Sequence, residues 1–318
     1  RSYSFKTEVL MNQYIKDLVE TIHNSDMTTT YKMSWCRSLV ERSVKNPSEK
    51  VIYLKDLSPM IFKYYWNQSI FFNLNQGSNL IQKPTIHQVV LKEIERYKLK
   101  FGEQPQVFSK IQNKININNK KIINELKRYV WEKFDKNEKF YKRNKSESLI
   151  ELYHPELLKE YSDILFQLIN YRWTRELEKI NSSPRISKKV IDGYREDIKR
   201  TSGLNRKFGR FIEIENPQKK CFITGETIDD GDLSIDHVIP WSYIYSDDLW
   251  NLVFVSKSQN SSKGNRIPSE QMIEKLERRN EKLLTLLRKN DIRNNHSEEL
   301  EFSIEKDLVR EKWIGCKG

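Results

Sequence analysis

The sequence predicts a mainly α-helical protein, and three observations carry that expectation. Charged residues make up 31% of the 318 positions while glycines number only 10, a balance that favours helix over sheet. Apolar residues recur at three- and four-residue spacing through most of the chain before Ile180. Two runs read as strands, L-S-I-D-H-V-I-P at 233–240 and N-L-V-F-V-S at 251–256. The expected order is a helical, basic amino-terminal domain over 1–203, a small domain of two strands and a helix over 204–268, and a carboxy-terminal helical extension over 269–318.

The elements follow in order. Val9, Leu10, Tyr14, Leu18, Val19 and Ile22 mark a first helix, and Met33, Trp35, Leu39 and Val40 a second, with S-D-M-T-T-T-Y supplying the loop and cap between them. Helical patterns resume at 56–75 and 85–100, separated by N-Q-G-S-N and with Pro84 at the start of the second. Residues 119–145 read as one long basic helix with Ile122, Ile123, Leu126, Val130, Trp131, Phe134 and Phe140 as its apolar stripe, and another helix is expected over 155–180. The polar, proline-containing S-S-P-R-I-S at 182–187 is the clearest boundary signal, and a basic helix-and-turn stretch, V-I-D-G-Y-R-E-D-I-K-R-T-S-G-L-N-R-K-F-G-R, follows it. C-F-I-T-G-E-T-I-D-D-G-D from Cys221 reads as a turn-rich hairpin ahead of the strands. Helix resumes at Lys257 and again after Pro268, where Ser269 is a natural N-cap.

Three cysteines, Cys36, Cys221 and Cys316, are too few and too scattered for a disulfide framework and point to a reducing, cytoplasmic setting. No run approaches the roughly 18 apolar residues of a membrane span, and the first ten residues lack the apolar core of a signal peptide, so no membrane association is expected. The net charge of +12 is unevenly spread: +6 over 1–100, +6 over 101–150, −2 over 151–180, +6 over 181–220 and −4 over 221–318. A polyanion is therefore expected to be gripped by 101–150 and 181–220 rather than by the acidic carboxy-terminal part, unless those lysines merely solvate helix surfaces. The aromatic- and amide-rich run at 64–86 has the chemistry to stack on bases and read their edges. However, Tyr65, Ile70 and Phe72 fit a buried stripe, and core packing is the stronger reading.

One constellation carries chemistry. Asp236 and His237 are adjacent; Asn251 lies 14 residues past the histidine, Asn260 another 9 further on, and Lys263 and Asn265 follow. A neutral imidazole, with an ordinary pKa near 6.5, takes a proton at neutral pH without further tuning, so His237 suits a general base. A carboxylate (Asp236) and an amide carbonyl (Asn260) are hard oxygen donors that suit Mg²⁺ or Mn²⁺. Neighbouring strand residues face opposite ways, so Asp236 and His237 require either local distortion or different roles. Lys263 lies one helical turn after Asn260, on the same face. Thr224 stands where a C-x-x-C partner of Cys221 would be, so no structural zinc is expected, and His23, His87, His154 and His296 show no ligand spacing.

In order and spacing these residues resemble the active site of HNH nucleases, whose fold is a ββα-metal finger. The resemblance implies that His237 activates water, Asp236 and Asn260 hold the metal, Asn251 braces the loop between the strands and orients His237, and Lys263 contacts the scissile phosphate. Asn260 takes the place of the second histidine of the family's name, a departure shared with the HNH domains of RNA-guided CRISPR effectors; the guide-handling lobes of such effectors have no counterpart here. The amino-terminal part loosely resembles that of bacterial HNH restriction-type endonucleases. The expected function is thus metal-dependent cleavage of double-stranded DNA by a restriction enzyme of bacterial defence. A nicking, homing or weakly specific nuclease is the nearest alternative, and a non-catalytic nucleic-acid-binding protein is a third reading. One such site cuts one strand, which makes a homodimer a candidate arrangement, with either contact between copies or burial against the finger for the apolar stripe of the last helices.

Overall fold

In a computed structural model of the protein, the residues described are 12–79, 81–181, 183–195 and 203–317. Val9 and Leu10 of the first expected helix, and residues 196–202 of the basic stretch, lie outside them. Helix takes up 62% and strand 8%, so the chain is mainly α, as its charge and apolar spacing predict. The chain forms two compact units: the described residues of Arg1–Asn181 with Ile186–Glu196, and those of Ser182–Arg185 with Asp197–Gly318.

The first unit runs α1 (Gln13–Asn24), α2 (Tyr31–Lys45), β1 (Val51–Tyr53), α3 (Leu54–Phe72), α4 (Thr85–Phe101), α5 (Phe108–Ile111), α6 (Asn119–Tyr129), α7 (Trp131–Phe134), β2 (Tyr141–Asn144), β3 (Leu149–Leu152), α8 (Pro155–Glu160), α9 (Ser162–Ile180) and α10 (Ile186–Asp192). Trp35, Trp66, Trp131 and Trp173 are fully buried in it, each bringing a large apolar surface out of water. The aromatics that open the 64–86 run prove to be core. Tyr64, Tyr65 and Trp66 are fully buried, and the amides beside them close a polar network inside that core. Thr30 Oγ1 donates to Gln76 Oε1 at 2.6 Å, Gln76 Nε2 donates to Gln68 Oε1 at 2.8 Å, and Asn67 bridges the Gly193 carbonyl (2.9 Å) and the Phe108 amide (2.9 Å). Asn67 is thereby fixed to the backbone of the unit, where leaving its amide unpaired would cost about 1–3 kcal/mol.

The long helix expected over 119–145 is not formed as such. Helix stops at Tyr129, a short helix follows, and the chain then turns into a β-hairpin, β2–β3, with β1 on its other edge in the order β1-β3-β2. Asp135 holds the turn that follows Phe134. Its buried carboxylate accepts from the amides of Lys139 (2.8 Å), Phe140 (2.8 Å) and Tyr141 (3.2 Å), collecting donors that a continuing helix would have turned back on itself. Phe140 therefore enters the core from a turn rather than from a helical stripe. The helix expected over 155–180 is likewise divided, at Tyr161, where no proline or glycine signals a break.

The second unit runs α11 (Leu204–Glu215), β4 (Leu233–His237), α12 (Trp241–Ile244), β5 (Leu252–Ser256), α13 (Lys257–Lys263), α14 (Glu270–Lys289), α15 (Asn295–Glu305) and α16 (Leu308–Lys317). β4 and β5 pair antiparallel, with Ile235 opposite Phe254 and His237 opposite Leu252. Ser269 caps α14 by accepting from the Met272 amide at 3.4 Å. The apolar stripe of α14, Ile273, Leu276, Leu283 and Leu287, is fully buried in one core with Phe208 and Phe211 of α11, Val253 and Val255 of β5, and Leu300, Val309 and Trp313 of the last two helices. That stripe is covered within the unit and is not a free face.

Replacing Asp135 with alanine is expected to lower the stability of the first unit by at least about 2 kcal/mol, because buried amides lose their acceptor. A urea titration followed by tryptophan fluorescence reads this as a lower midpoint; an unchanged midpoint would show that the hairpin does not need the carboxylate.

Candidate active site

The site is built where the period of a strand meets the period of a helix. Along β4, Ser234 and Asp236 project to one face and Ile235 and His237 to the other. Along α13, Asn260 and Lys263 are three apart and share a face. The two faces meet pair by pair: Asn260 Nδ2 donates to Ser234 Oγ at 3.1 Å, and Lys263 Nζ to Asp236 Oδ2 at 2.6 Å. The Lys263 ammonium also bonds the backbone carbonyl of His237. One cationic centre thus sits between a carboxylate oxygen and a carbonyl oxygen, both largely shielded from water.

The His237 side chain leaves by the opposite face of the strand. It is 4% exposed, and its Nε2 lies 3.0 Å from Asp247 Oδ1, in the loop between the strands. No distortion of β4 is needed to separate Asp236 from His237, since strand alternation gives them different surroundings. Asp247 is the contact that sequence reading missed. It lies in a run, S-D-D, that resembles any polar turn, and only the path of the loop brings it to the imidazole.

Asn251 fixes that path. Fully buried, it accepts from the Ile239 amide (2.8 Å) through Oδ1 and donates to the Ile239 carbonyl (2.9 Å) through Nδ2, while its own carbonyl accepts from the Val238 amide at 2.9 Å. The two residues after His237 are thereby clamped to the residue just ahead of β5. α14 supports the same point from beneath. Arg279 Nη1 donates to the Leu249 carbonyl at 3.0 Å, and Asn280 Nδ2 donates to the Trp250 carbonyl at 2.8 Å. Burial pushes the Arg279 guanidinium down to about 10, with the Glu215 carboxylate opposing it. Asn265 is exposed beyond the end of α13.

Cys221 is buried at the base of the knuckle ahead of β4, where its amide donates to the Glu226 carbonyl (2.7 Å) and its carbonyl accepts from the Gly225 amide (2.8 Å). The knuckle is tied to β5 by the Phe222 amide, which donates to the Phe254 carbonyl at 2.8 Å. Among the described residues, no three His, Cys, Asp or Glu side chains converge on one point. A cation at Asp236 would therefore meet one carboxylate, with the remaining positions left to amide or carbonyl oxygens and water. That donor set suits a hard divalent ion. The Lys263 ammonium shows that positive charge is accommodated at this place.

A family model described as HNH endonuclease matches residues 221–269, from the cysteine of the knuckle to the cap of α14. The chain carries an HNH endonuclease domain. The observed β4–β5–α13 order is the strand–strand–helix arrangement expected of such a domain, and the nuclease is a hydrolase acting on nucleic acid. Among curated proteins, none matches the chain. No helix among the described residues of the nuclease is long and apolar enough to cross a membrane.

Next to Asp247, Asp248 accepts from Ser246 Oγ at 2.5 Å and faces Glu299 of α15. Burial, and then the hydrogen bond with Asp248 and its negative charge, raise the Glu299 carboxyl from the ordinary 4.5 to about 7, with Arg185 and Lys207 opposing. The folded nuclease thus holds a proton that the unfolded chain gives up at lower pH. The stability this contributes is complete below pH 4.5 and is lost as pH rises towards 7. In urea titrations across that window, Glu299→Gln should flatten part of the fall in midpoint that the parent shows; a parallel fall in both proteins would place the titration elsewhere.

Proposed function

We propose that the protein is a metal-dependent endonuclease that hydrolyses phosphodiester bonds of double-stranded DNA, and that it acts in the cytoplasm as a sequence-specific restriction enzyme of bacterial defence. In this reading the helical, basic amino-terminal part recognises DNA and residues 204–268 cut it. The observation that carries the chemistry is the division of labour on β4, where a shielded imidazole held by a carboxylate and a carboxylate facing a cation come from neighbouring residues.

His237 is the general base. With Nε2 at Asp247, the carboxylate sets the orientation of the ring. Asp236 and Asn260 are the residues that hold Mg²⁺ or Mn²⁺. Asn260 donates its amide nitrogen to Ser234, which leaves Oδ1 facing away from that bond as an acceptor. When bound, the ion neutralises charge on the phosphate and the departing 3′ oxygen. Asn251 positions His237 through the two residues that follow it. Lys263 is engaged by Asp236 in this structure, and with that carboxylate turned to an ion its ammonium would be free to contact the scissile phosphate.

Plasmid and phage DNA incubated with Mg²⁺ should give discrete fragments whose ends map to one sequence, with the pattern abolished by EDTA. His237→Ala should slow cleavage by about 10²–10⁴-fold. Random or single-strand cuts would replace the restriction reading with a weakly specific or nicking nuclease, and metal-independent cutting would remove the metal.

The shared carboxylate makes a second prediction. Lys263→Ala should tighten Mn²⁺ binding by roughly tenfold, read by electron paramagnetic resonance of the free ion, while slowing cleavage. Weaker metal binding in that variant would mean that the ammonium and the ion do not compete for Asp236.

A further inference from the structure

The first unit contains a cluster of cations that ion pairing does not explain. Several basic residues between 119 and 145 are engaged: Lys127 donates to the Lys145 carbonyl (2.7 Å), Lys139 pairs with Asp17 (3.2 Å) and Arg143 with Glu138 (3.1 Å). Arg128, Lys133 and Lys136 differ. All three are exposed, and none has a carboxylate partner among the described residues, although Glu132 lies beside Lys133 in sequence and is paired instead with Lys145 at 3.8 Å.

Two of these cations are held in place. The ring of Tyr129, 40% exposed, carries the Arg128 guanidinium 5.0 Å from its centroid and the Lys133 ammonium at 5.2 Å. A ring that carries two like charges in water brings them near one another before any ligand arrives. The cluster extends to α2. Lys32, half-buried there and donating to the Asp26 carbonyl at 2.8 Å, has its pKa lowered first by burial and then by the charges of Lys136 and Lys133, with Asp26 opposing.

We propose that Arg128 and Lys133, held on Tyr129, form with Lys136 and Lys32 a phosphate-binding patch that contacts the backbone of the DNA substrate. The partner is a polyanion with closely spaced phosphates, since cations gathered with few counter-charges gain by displacing the condensed counterions of such a chain. The patch rests on the reading of the substrate as DNA and adds where the first unit grips it. It carries no base-reading amide, so its contribution is to affinity and register and not to sequence choice.

The test measures binding of a fluorescent duplex of about 30 base pairs to the full chain in EDTA, by anisotropy, over a range of salt concentrations. Arg128→Gln, Lys133→Gln and Lys136→Gln together should weaken binding by about tenfold or more and make the slope of log affinity against log salt shallower by about 2 to 3. The control is Lys45→Gln, Lys98→Gln and Lys179→Gln, which removes the same charge from residues of the same unit that are already in ion pairs. Thermal unfolding confirms that both variants fold.

A loss of affinity in the first variant well beyond that in the control supports the patch. Equal losses, or no loss, overturn it. Sedimentation with phosphatidylserine vesicles that is abolished in the variant while duplex binding is unchanged also overturns it, in favour of a membrane surface. Failure of the nuclease reading looks different: the duplex is bound through the patch, yet no divalent ion supports cleavage by the parent protein.

Discussion

The geometry of the second unit depends on one buried amide. Asn251 satisfies both polar groups of its side chain on the backbone of Ile239, which closes the loop between the strands where the chain leaves His237. That closure holds the two ends of the loop that carries Asp247. Such a group is costly to bury and more costly to leave half-paired, and the surrounding structure reflects this. Arg279 and Asn280 hold the carbonyls of Leu249 and Trp250 immediately before it, so a helix that begins after the matched motif supports the motif's central residue.

The second constraint is commensurate spacing. A strand returns to the same face every two residues and a helix nearly every three or four, so Ser234 and Asp236 meet Asn260 and Lys263 in two adjacent contacts. The same alternation sends His237 the other way, to a carboxylate of its own. Asp236 and His237 thus keep separate partners on opposite sides of a single strand.

Much of this was legible in the sequence, and the parts that were not have a common cause. The spacing of Asp236, His237, Asn251, Asn260 and Lys263 marked the strand–strand–helix segment because local geometry fixes those intervals. The cap at Ser269 was likewise a local matter. The hairpin at 141–152 was hidden because the apolar stripe over 119–134 continues smoothly to Phe140 in sequence. What holds the turn is an aspartate gathering three amides, and what completes the sheet is β1, from a distant part of the chain. Asp247, Arg279 and Asn280 escaped notice for the same reason: each acts across the fold on a backbone or side-chain atom that no short interval predicts. The amides at 67, 68 and 76 had two chemistries open to them in sequence, and burial decided for the inward one.

The extent of the shared core bears on how this nuclease is divisible. The matched family segment ends at residue 269, yet α14, α15 and α16 fill the same apolar interior as β5 and α11. The smallest piece that folds is therefore larger than the smallest piece that carries the chemistry. Grafting the motif alone onto another scaffold would expose the faces that α14 covers and remove the two side chains that steady Leu249 and Trp250. An exchange of parts among such nucleases that preserves activity has to cut outside the last three helices, which makes the second unit as a whole the portable element.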